Sequence, residues 1–373
     1  MLRVARSIPL FSFNVIGLII IAHVLFEKQP VRAEYPHNYL HHEYQLEQLK
    51  PADVTDTISI SVVGDLMIGS SYPAAAFLPV NEDGNILQYA MPLLKQTDLR
   101  LGNLEGTISD NAKVFKNCGT STQCFAFRTP VKYAQWYKEA GFDYLNLANN
   151  HSFDFGMKGV EHTLAFLDSN NIRTSGVPQH PIDTLTIRNT KFGFVSFAPH
   201  SNCLDLNNDT LVASYVKEVR KQCDVLVVFF HGGAEGASRK HTPKTREFFM
   251  GQNRGHLTRF SRICVDAGAD LVLGSGPHVV RGMEMYKGKL IVYSLGNFAT
   301  YHQFNLKSPN NVAPLLQVKI TNEGNLVENK VFSFLQEGEG VPKPDSTMQA
   351  FRMIRSLSEA DFGFTGVDAG SFD

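Results

Sequence analysis

An α/β layer fold is predicted for most of this 373-residue chain by three observations. Short β-branched runs alternate with amphipathic stretches from residue 58 to about residue 335, as in layered α/β domains. Gly141 and Gly268 directly follow two of the amphipathic stretches, where a helix needs its stop. Polar residues beside glycine recur at the C-terminal ends of the β-branched runs, where such sheets collect ligand groups.

In chain order, Thr57–Val63 opens the domain as a strand, alternating Ser with Ile and Val. Ile86–Gln96 reads as a helix and Leu99–Leu104 as the next strand. Val131–Ala140 is helical up to Gly141, and Tyr144–Ala148 is a strand. Val160–Asn170 is a helix, followed by the aromatic-rich strand Phe192–Phe197. Leu211–Gln222 and Leu257–Ala267 are helices on either side of the strand Val225–Phe230. Leu271–Leu273, Leu290–Ser294 and Leu315–Ile320 complete the strands. From Glu337 the chain turns glycine- and proline-bearing and reads as a tail, 337–373, with a short helix at Ser346–Leu357. The domain proper is therefore expected over residues 57–336.

Residues 8–26 form a 19-residue apolar run broken only by Ser12, Asn14 and His23. As a helix it would span roughly 28 Å, close to the thickness of a bilayer core. Arg3 and Arg6 precede it, which places the remainder outside the cytoplasm. The expectation is a signal anchor or signal peptide over 1–33. The protein is then either a single-pass membrane protein or, after cleavage near Ala33, secreted or periplasmic. Residues 34–56 are a polar spacer. Export permits oxidation, and Cys118 and Cys124 bracket a short Gly/Ser/Thr segment, so a local disulfide is expected there. Cys203, Cys223 and Cys264 are an odd remainder, and Cys264 lies in an apolar helical pattern.

Lys and Arg total 35 against 36 Asp and Glu, so the formal net charge is −1. No general basic field exists to coat nucleic acid, and an exported protein would rarely meet it; nucleic acid is excluded as a partner. Only 19% of residues are charged, against roughly 25% in ordinary domains, and the apolar N-terminus contributes to that deficit.

The strand ends carry the chemistry. They read Gly64-Asp65, Asn103-Leu104-Glu105, Asn149-Asn150-His151 with Asp154 beyond, His231-Gly232-Gly233-Ala234-Glu235, Gly274-Ser275-Gly276-Pro277-His278 and Gly296-Asn297. Carboxylate, amide oxygen and imidazole are the ligands of mixed oxygen/nitrogen sites for Mn, Fe or Zn, and thiolates are absent from the set. Neighbouring glycines allow sharp turns and close backbone approach.

These segments resemble the capsule-synthesis CapA/PgsA-type family, associated with poly-γ-glutamate biosynthesis. The resemblance rests on Leu147-Ala148-Asn149-Asn150-His151-Ser152-Phe153-Asp154-Phe155-Gly156, Phe230-His231-Gly232-Gly233-Ala234-Glu235, Tyr293-Ser294-Leu295-Gly296-Asn297-Phe298 and shorter matches across roughly 58–335. That family is similar in fold to calcineurin-like metallophosphoesterases, which implies a four-layer αββα sandwich with metal at the strand ends. The resemblance implies Asp65, Glu105, Asn150, His231 and His278 as metal ligands. It implies His151 as proton donor to a leaving group; Asp154, three residues on, is read as a catalytic candidate that either orients that ring or finishes the turn. Asn103, Asn149, Glu235, Arg281 and Asn297 are read as substrate-binding. Two positions depart from the phosphoesterase pattern: Met67 and Ser275 stand where imidazoles are wanted. At most one well-held divalent ion is therefore expected.

Three functions remain open on these residues. The first is a membrane-associated component of capsule or poly-γ-glutamate synthesis or export. It would handle an anionic polymer, or its membrane machinery, through the metal rim or the basic residues of 239–262. The second is a metal-dependent hydrolase of a phosphoester or γ-glutamyl amide. The third is a non-catalytic carboxylate-binding scaffold, favoured by Met67 and Ser275.

Overall fold

A computed structural model of the chain describes residues 57–80, 84–119 and 124–372. The expected anchor at 8–26, the cleavage point near Ala33 and the spacer 34–56 lie outside the described residues. Among the described residues no helix is long and apolar enough to cross a membrane.

The first elements in chain order are β1 (Thr57–Met67), α1 (Met91–Leu94), β2 (Leu99–Leu104), β3 (Thr107–Ile108), β4 (Arg128–Thr129), α2 (Val131–Ala140) and β5 (Tyr144–Asn146). Then follow α3 (Gly156–Ser169), β6 (Arg173–Ser175), β7 (Ile182–Ile187), β8 (Thr190–Ala198), β9 (Leu204–Asp205), α4 (Asp209–Arg220) and β10 (Val225–His231). Next come β11 (Glu247–Phe249), β12 (Gln252–Gly255), α5 (Leu257–Asp266), β13 (Leu271–Ser275), β14 (Met283–Tyr286), β15 (Lys289–Val292) and β16 (Asn297–Thr300). The chain closes with β17 (Val312–Thr321), β18 (Leu326–Glu337), β19 (Val341–Pro344), α6 (Gln349–Phe362) and β20 (Asp368–Ala369).

Two mixed sheets result. The first runs β19-β18-β17-β1-β2-β5-β6, with β16 also paired to β1 and β20 to β18; the second runs β14-β15-β13-β10-β8-β7, with β9 on β8. In β10, Val225, Val227 and Phe229 face a core shared with Ile58, Ile60, Val62, Leu99 and Leu101 of the first sheet. The alternate residues Leu226, Val228 and Phe230 pack under α4 and α5. Both faces of the strand are thus covered, which is why it reads as an unbroken apolar run. On the outer side of the first sheet, Leu66, Leu104 and Leu145 pack with α2 and α3. The two sheets therefore face each other, and helices cover each outer face.

Several elements differ from the sequence reading. The helix expected at Ile86–Gln96 shrinks to Met91–Leu94, because Pro92 has no N–H to give and is tolerated only in a first turn. The stretch read as a tail belongs to the sandwich: β19 pairs with β18, and Ala350, Ile354 and Leu357 of α6 enter the core between the sheets. β7 and β18, both antiparallel partners of predicted strands, are absent from that reading. The disulfide forms between Cys118 and Cys124, and Cys203, Cys223 and Cys264 are free, with Cys264 buried.

The C-terminal ends of β1, β2, β5, β10 and β13 meet at one rim with the start of β16. β1 pairs with β17 up to Val63 and then with β16 from Asp65 onward. At that switch the Asp65 N–H donates to Gly296 O at 2.9 Å. A Cβ on Gly64 would lie 2.0 Å from that same oxygen, so only glycine permits the approach.

Candidate metal centre

Asp65 leaves β1 at the switch, fully buried. Its Oδ1 accepts from Asn103 Nδ2 at 2.7 Å, and its Oδ2 lies 3.1 Å from His278 Nδ1. Glu105 follows β2 and is also fully buried. Three imidazoles turn their Nε2 atoms toward its Oε1: His278 at 3.6 Å, His231 at 3.8 Å and His151 at 3.8 Å. Asp65, Glu105 and His278 can each offer a ligand atom with all three atoms within 4.8 Å of one another.

Whether these residues fit a cation is answered by their unused atoms. Both carboxylate oxygens of Glu105 and the Nε2 of His231 are buried with no hydrogen-bond partner. Asn150 Oδ1, at the same cavity, is also buried and unpartnered. Such groups in a protein interior are normally paired, and an unpaired buried carboxylate is costly. Their separations from Glu105 are too long for hydrogen bonds and leave room between donors. The set is oxygen plus imidazole, which suits Mn, Fe or Zn. The residues fit one divalent ion.

Electrostatics agree. Burial drives the Glu105 carboxyl well above its ordinary range, with His278 opposing that rise and the Asp65 charge adding to it. Burial lowers His278, but the facing Glu105 and Asp65 carboxylates outweigh it and hold the imidazole up at about 10. Burial holds His231 well below its usual value, and His278 lowers it further. The cluster without an ion therefore keeps a proton that a cation would displace. His278 itself sits at φ 56°. A non-glycine residue in that region costs about 1–3 kcal/mol and persists where surroundings hold it. Here Asn297 Oδ1, 2.9 Å from His278 Nδ1, and the Asn310 amide, donating to His278 O at 3.2 Å, hold it.

Beside the centre, His151 Nδ1 lies 2.7 Å from Asp154 Oδ2, and that oxygen also accepts the Phe127 N–H at 2.8 Å. Lys116 Nζ pairs with Asp154 Oδ1 at 2.9 Å. The Phe127 ring packs on the His151 ring with centroids 4.2 Å apart. Burial lowers the His151 pKa, while Asp154 raises it and Lys116 lowers it further. Its Nε2 is thereby aimed inward, on the side of Glu105. A cavity of about 800 Å³ opens over these groups, lined among others by Asn150, His151, His200, Glu235, Arg254 and His278.

The predicted metal ligands Asp65, Glu105, His231 and His278 come together, with Asn150 and the His151–Asp154 pair at the edge. Glu235 and Asn297 line the cavity. Three residues expected at a substrate lie elsewhere. Asn103 is buried and its amide is used within the fold: Nδ2 donates to Asp65, and Oδ1 accepts from Asn146 at 2.7 Å and Asn149 at 3.2 Å. Asn149 also donates to Leu104 O at 2.8 Å, so both asparagines brace the ligand loops. Arg281 is fully buried, bound bidentately by Glu247 at 2.8 and 2.7 Å and donating to Arg239 O at 2.8 Å. The two departures have structural consequences. Met67 is buried in β1, and the Ser275 hydroxyl, 3.0 Å from His231 Nδ1, orients that ring.

Among cavity and support residues, Lys116, Asn146 and His200 are not singled out by sequence, and Arg254 is read only as one of the basic residues of 239–262. His200 has a signal, since it follows β8 as the other site residues follow their strands. Burial and the Arg254 charge push His200 down to about 3. Arg254 is itself buried and paired with Glu235.

Fold and site together define a two-sheet α/β protein with a buried carboxylate–imidazole centre of cation-binding type. The family model described as bacterial capsule synthesis protein PGA_cap matches residues 59–302, and the chain belongs to that family. It is 28% identical to the capsule biosynthesis protein CapA of Bacillus anthracis, over 82% of this chain and 74% of that protein. It is 29% identical to the PGA biosynthesis protein CapA of Bacillus subtilis, over 65% of this chain and 63% of that protein. Among solved structures, a hypothetical protein from Thermus thermophilus aligns with 74% of this chain and 99% of its own at 15% identity and a TM-score of 0.45. A putative 5'-nucleotidase from Staphylococcus aureus aligns with 82% of this chain and 58% of its own at 15% identity and a TM-score of 0.40. At that level of similarity no residue role is transferred from either.

Proposed function

We propose that the protein is an exported, membrane-associated component of capsule polymer synthesis or export, of the poly-γ-glutamate type. On this reading it works through one divalent cation held by Asp65, Glu105 and His278, with His231 and Asn150 beside them, in a metallophosphoesterase-like sandwich. The observation that carries the reading is Glu105: a fully buried carboxylate with both oxygens unpartnered and three imidazoles turned to it. Family membership supports the polymer role, and the names of the two Bacillus relatives point to the same pathway class. The test is the amount of cell-bound γ-glutamyl polymer after deletion of the gene. Complementation with the wild-type gene restores it and Glu105→Gln does not; an unchanged amount on deletion contradicts the role.

A second reading concerns the chemistry, and the His151–Asp154 pair favours it. When bound, a divalent cation supplies Lewis-acid polarisation of a phosphoryl or carbonyl oxygen. Asp154 holds the His151 ring through Nδ1 and stabilises its protonated form, in which Nε2 would carry the proton passed to a departing oxygen or nitrogen. Phe127 against the ring excludes water from that face. The protein would then be a hydrolase of a phosphoester or γ-glutamyl amide. Assays with Mn and both substrate classes decide this. Turnover lost in His151→Ala supports it; metal uptake with no turnover in either protein leaves a carboxylate-binding scaffold.

A further inference from the structure

The basic run at 239–262 does not act as one surface. Arg254 turns inward to Glu235, Arg259 pairs with Asp209, Arg262 with Glu284 and His241 with Asp361. The remaining side chains, Arg239, Lys240, Lys244 and Arg246, are exposed and have no acidic partner among the described residues. Directly after them the β11–β12 hairpin carries Phe248 and Met250, which are 60% and 63% exposed. Phe249 and Met250 line the cavity, and Phe249 lies under the Arg254 guanidinium, 5.7 Å from ring centroid to Cζ.

Exposed cations and large apolar side chains thus follow one another within residues 239–250, and Gly236 before that stretch and Met250 at its end line the cavity mouth. A dissolved polyanion would satisfy the cations and gain nothing from Phe248, which lies outside the cavity lining. An anionic bilayer surface takes both, with headgroup charge for the cations and the interfacial layer for the apolar tips. The chain's net charge of −1 means that any such attraction is local. We propose that the 239–250 edge docks on an anionic phospholipid surface and turns the cavity mouth toward the membrane. The site then meets its substrate at the bilayer surface rather than from bulk solution. This goes beyond the polymer reading and does not depend on the cation centre.

The test uses the full chain carrying Phe248→Trp, reconstituted into vesicles of phosphatidylcholine with and without phosphatidylglycerol, with brominated acyl chains as quencher. The wild-type chain supplies the baseline from its single Trp136. The introduced indole is expected to emit at shorter wavelength and to be quenched in the anionic vesicles. Adding Lys240→Gln, Lys244→Gln and Arg246→Gln should weaken the contact roughly fivefold per cation, on the order of a hundredfold for all three. Emission that is unshifted and unquenched in both vesicle types overturns the proposal. So does a shift produced by soluble polyglutamate and not by vesicles, which makes the edge a polymer site. Met250→Trp reports the same contact if the first variant does not fold.

Discussion

Two buried acids in this molecule have opposite surroundings. Glu247 is buried against Arg281, whose guanidinium binds both its oxygens, and one of them also accepts the Ala234 N–H at 3.0 Å. Glu105 is buried as deeply and accepts nothing. The first acid is neutralised by the chain and holds the loop after β10 in place. The second receives no hydrogen bond from the chain, and its neighbours are arranged as ligands. Burial alone therefore does not mark a site; burial without a partner does.

The largest effect should come from breaking the satisfied pair. Arg281→Met leaves Glu247 charged and alone, and urea unfolding at neutral pH should show a loss of about 3–5 kcal/mol. A loss no larger than that of a surface substitution would mean that the two acids do not differ in kind. Glu105→Gln should behave in the opposite way. Without added metal it should be no less stable than wild type, since it removes a buried carboxyl group that receives no hydrogen bond from the chain. With Mn at a hundredfold excess over Kd, wild type should gain about 2.7 kcal/mol and the variant nothing. Equal gains in both proteins would place the ion elsewhere.

A smaller change should follow at the brace. Asn103→Ala removes the 2.7 Å hydrogen bond to Asp65 and should weaken metal binding about 10–100-fold while the fold survives. Calorimetric titration reads this directly, and unaltered affinity would show that Asp65 needs no support. The effect smallest at neutral pH, and growing only on acidification, is that of His200. His200 is held neutral down to about 3 in the fold, against 6.5 when exposed. The unfolded chain therefore binds that proton first, and stability should fall as pH drops from about 6.5 toward 3. His200→Gln should flatten this part of the Tm–pH curve; an unchanged slope assigns the loss to other groups.

Much of the centre is legible because each strand ends in a polar residue next to glycine, and β-sheet geometry brings strand ends together. Asp65, Glu105, His231 and His278 can be read that way. Arg281 cannot, because its partner Glu247 lies 34 residues away and only packing joins them. Asn103 and Asn149 are legible as site-adjacent but not as braces, since pattern says nothing of where an amide points. The same limit applies to β7 and β18, whose roles come from antiparallel pairing across the sheet edges. Residues 337–373 read as a tail because their glycines and prolines break local periodicity. Their apolar positions in α6 acquire meaning only once two sheets stand face to face.

The central claim is that Glu105 is the unpaired acid of a cation site. Calorimetric titration of the purified full chain with Mn, beside Glu105→Gln and Glu247→Gln, tests it most directly. The account predicts one bound ion for wild type, none for Glu105→Gln, and one for whatever fraction of Glu247→Gln remains folded. No binding by folded wild type, or equal binding by Glu105→Gln, would contradict it.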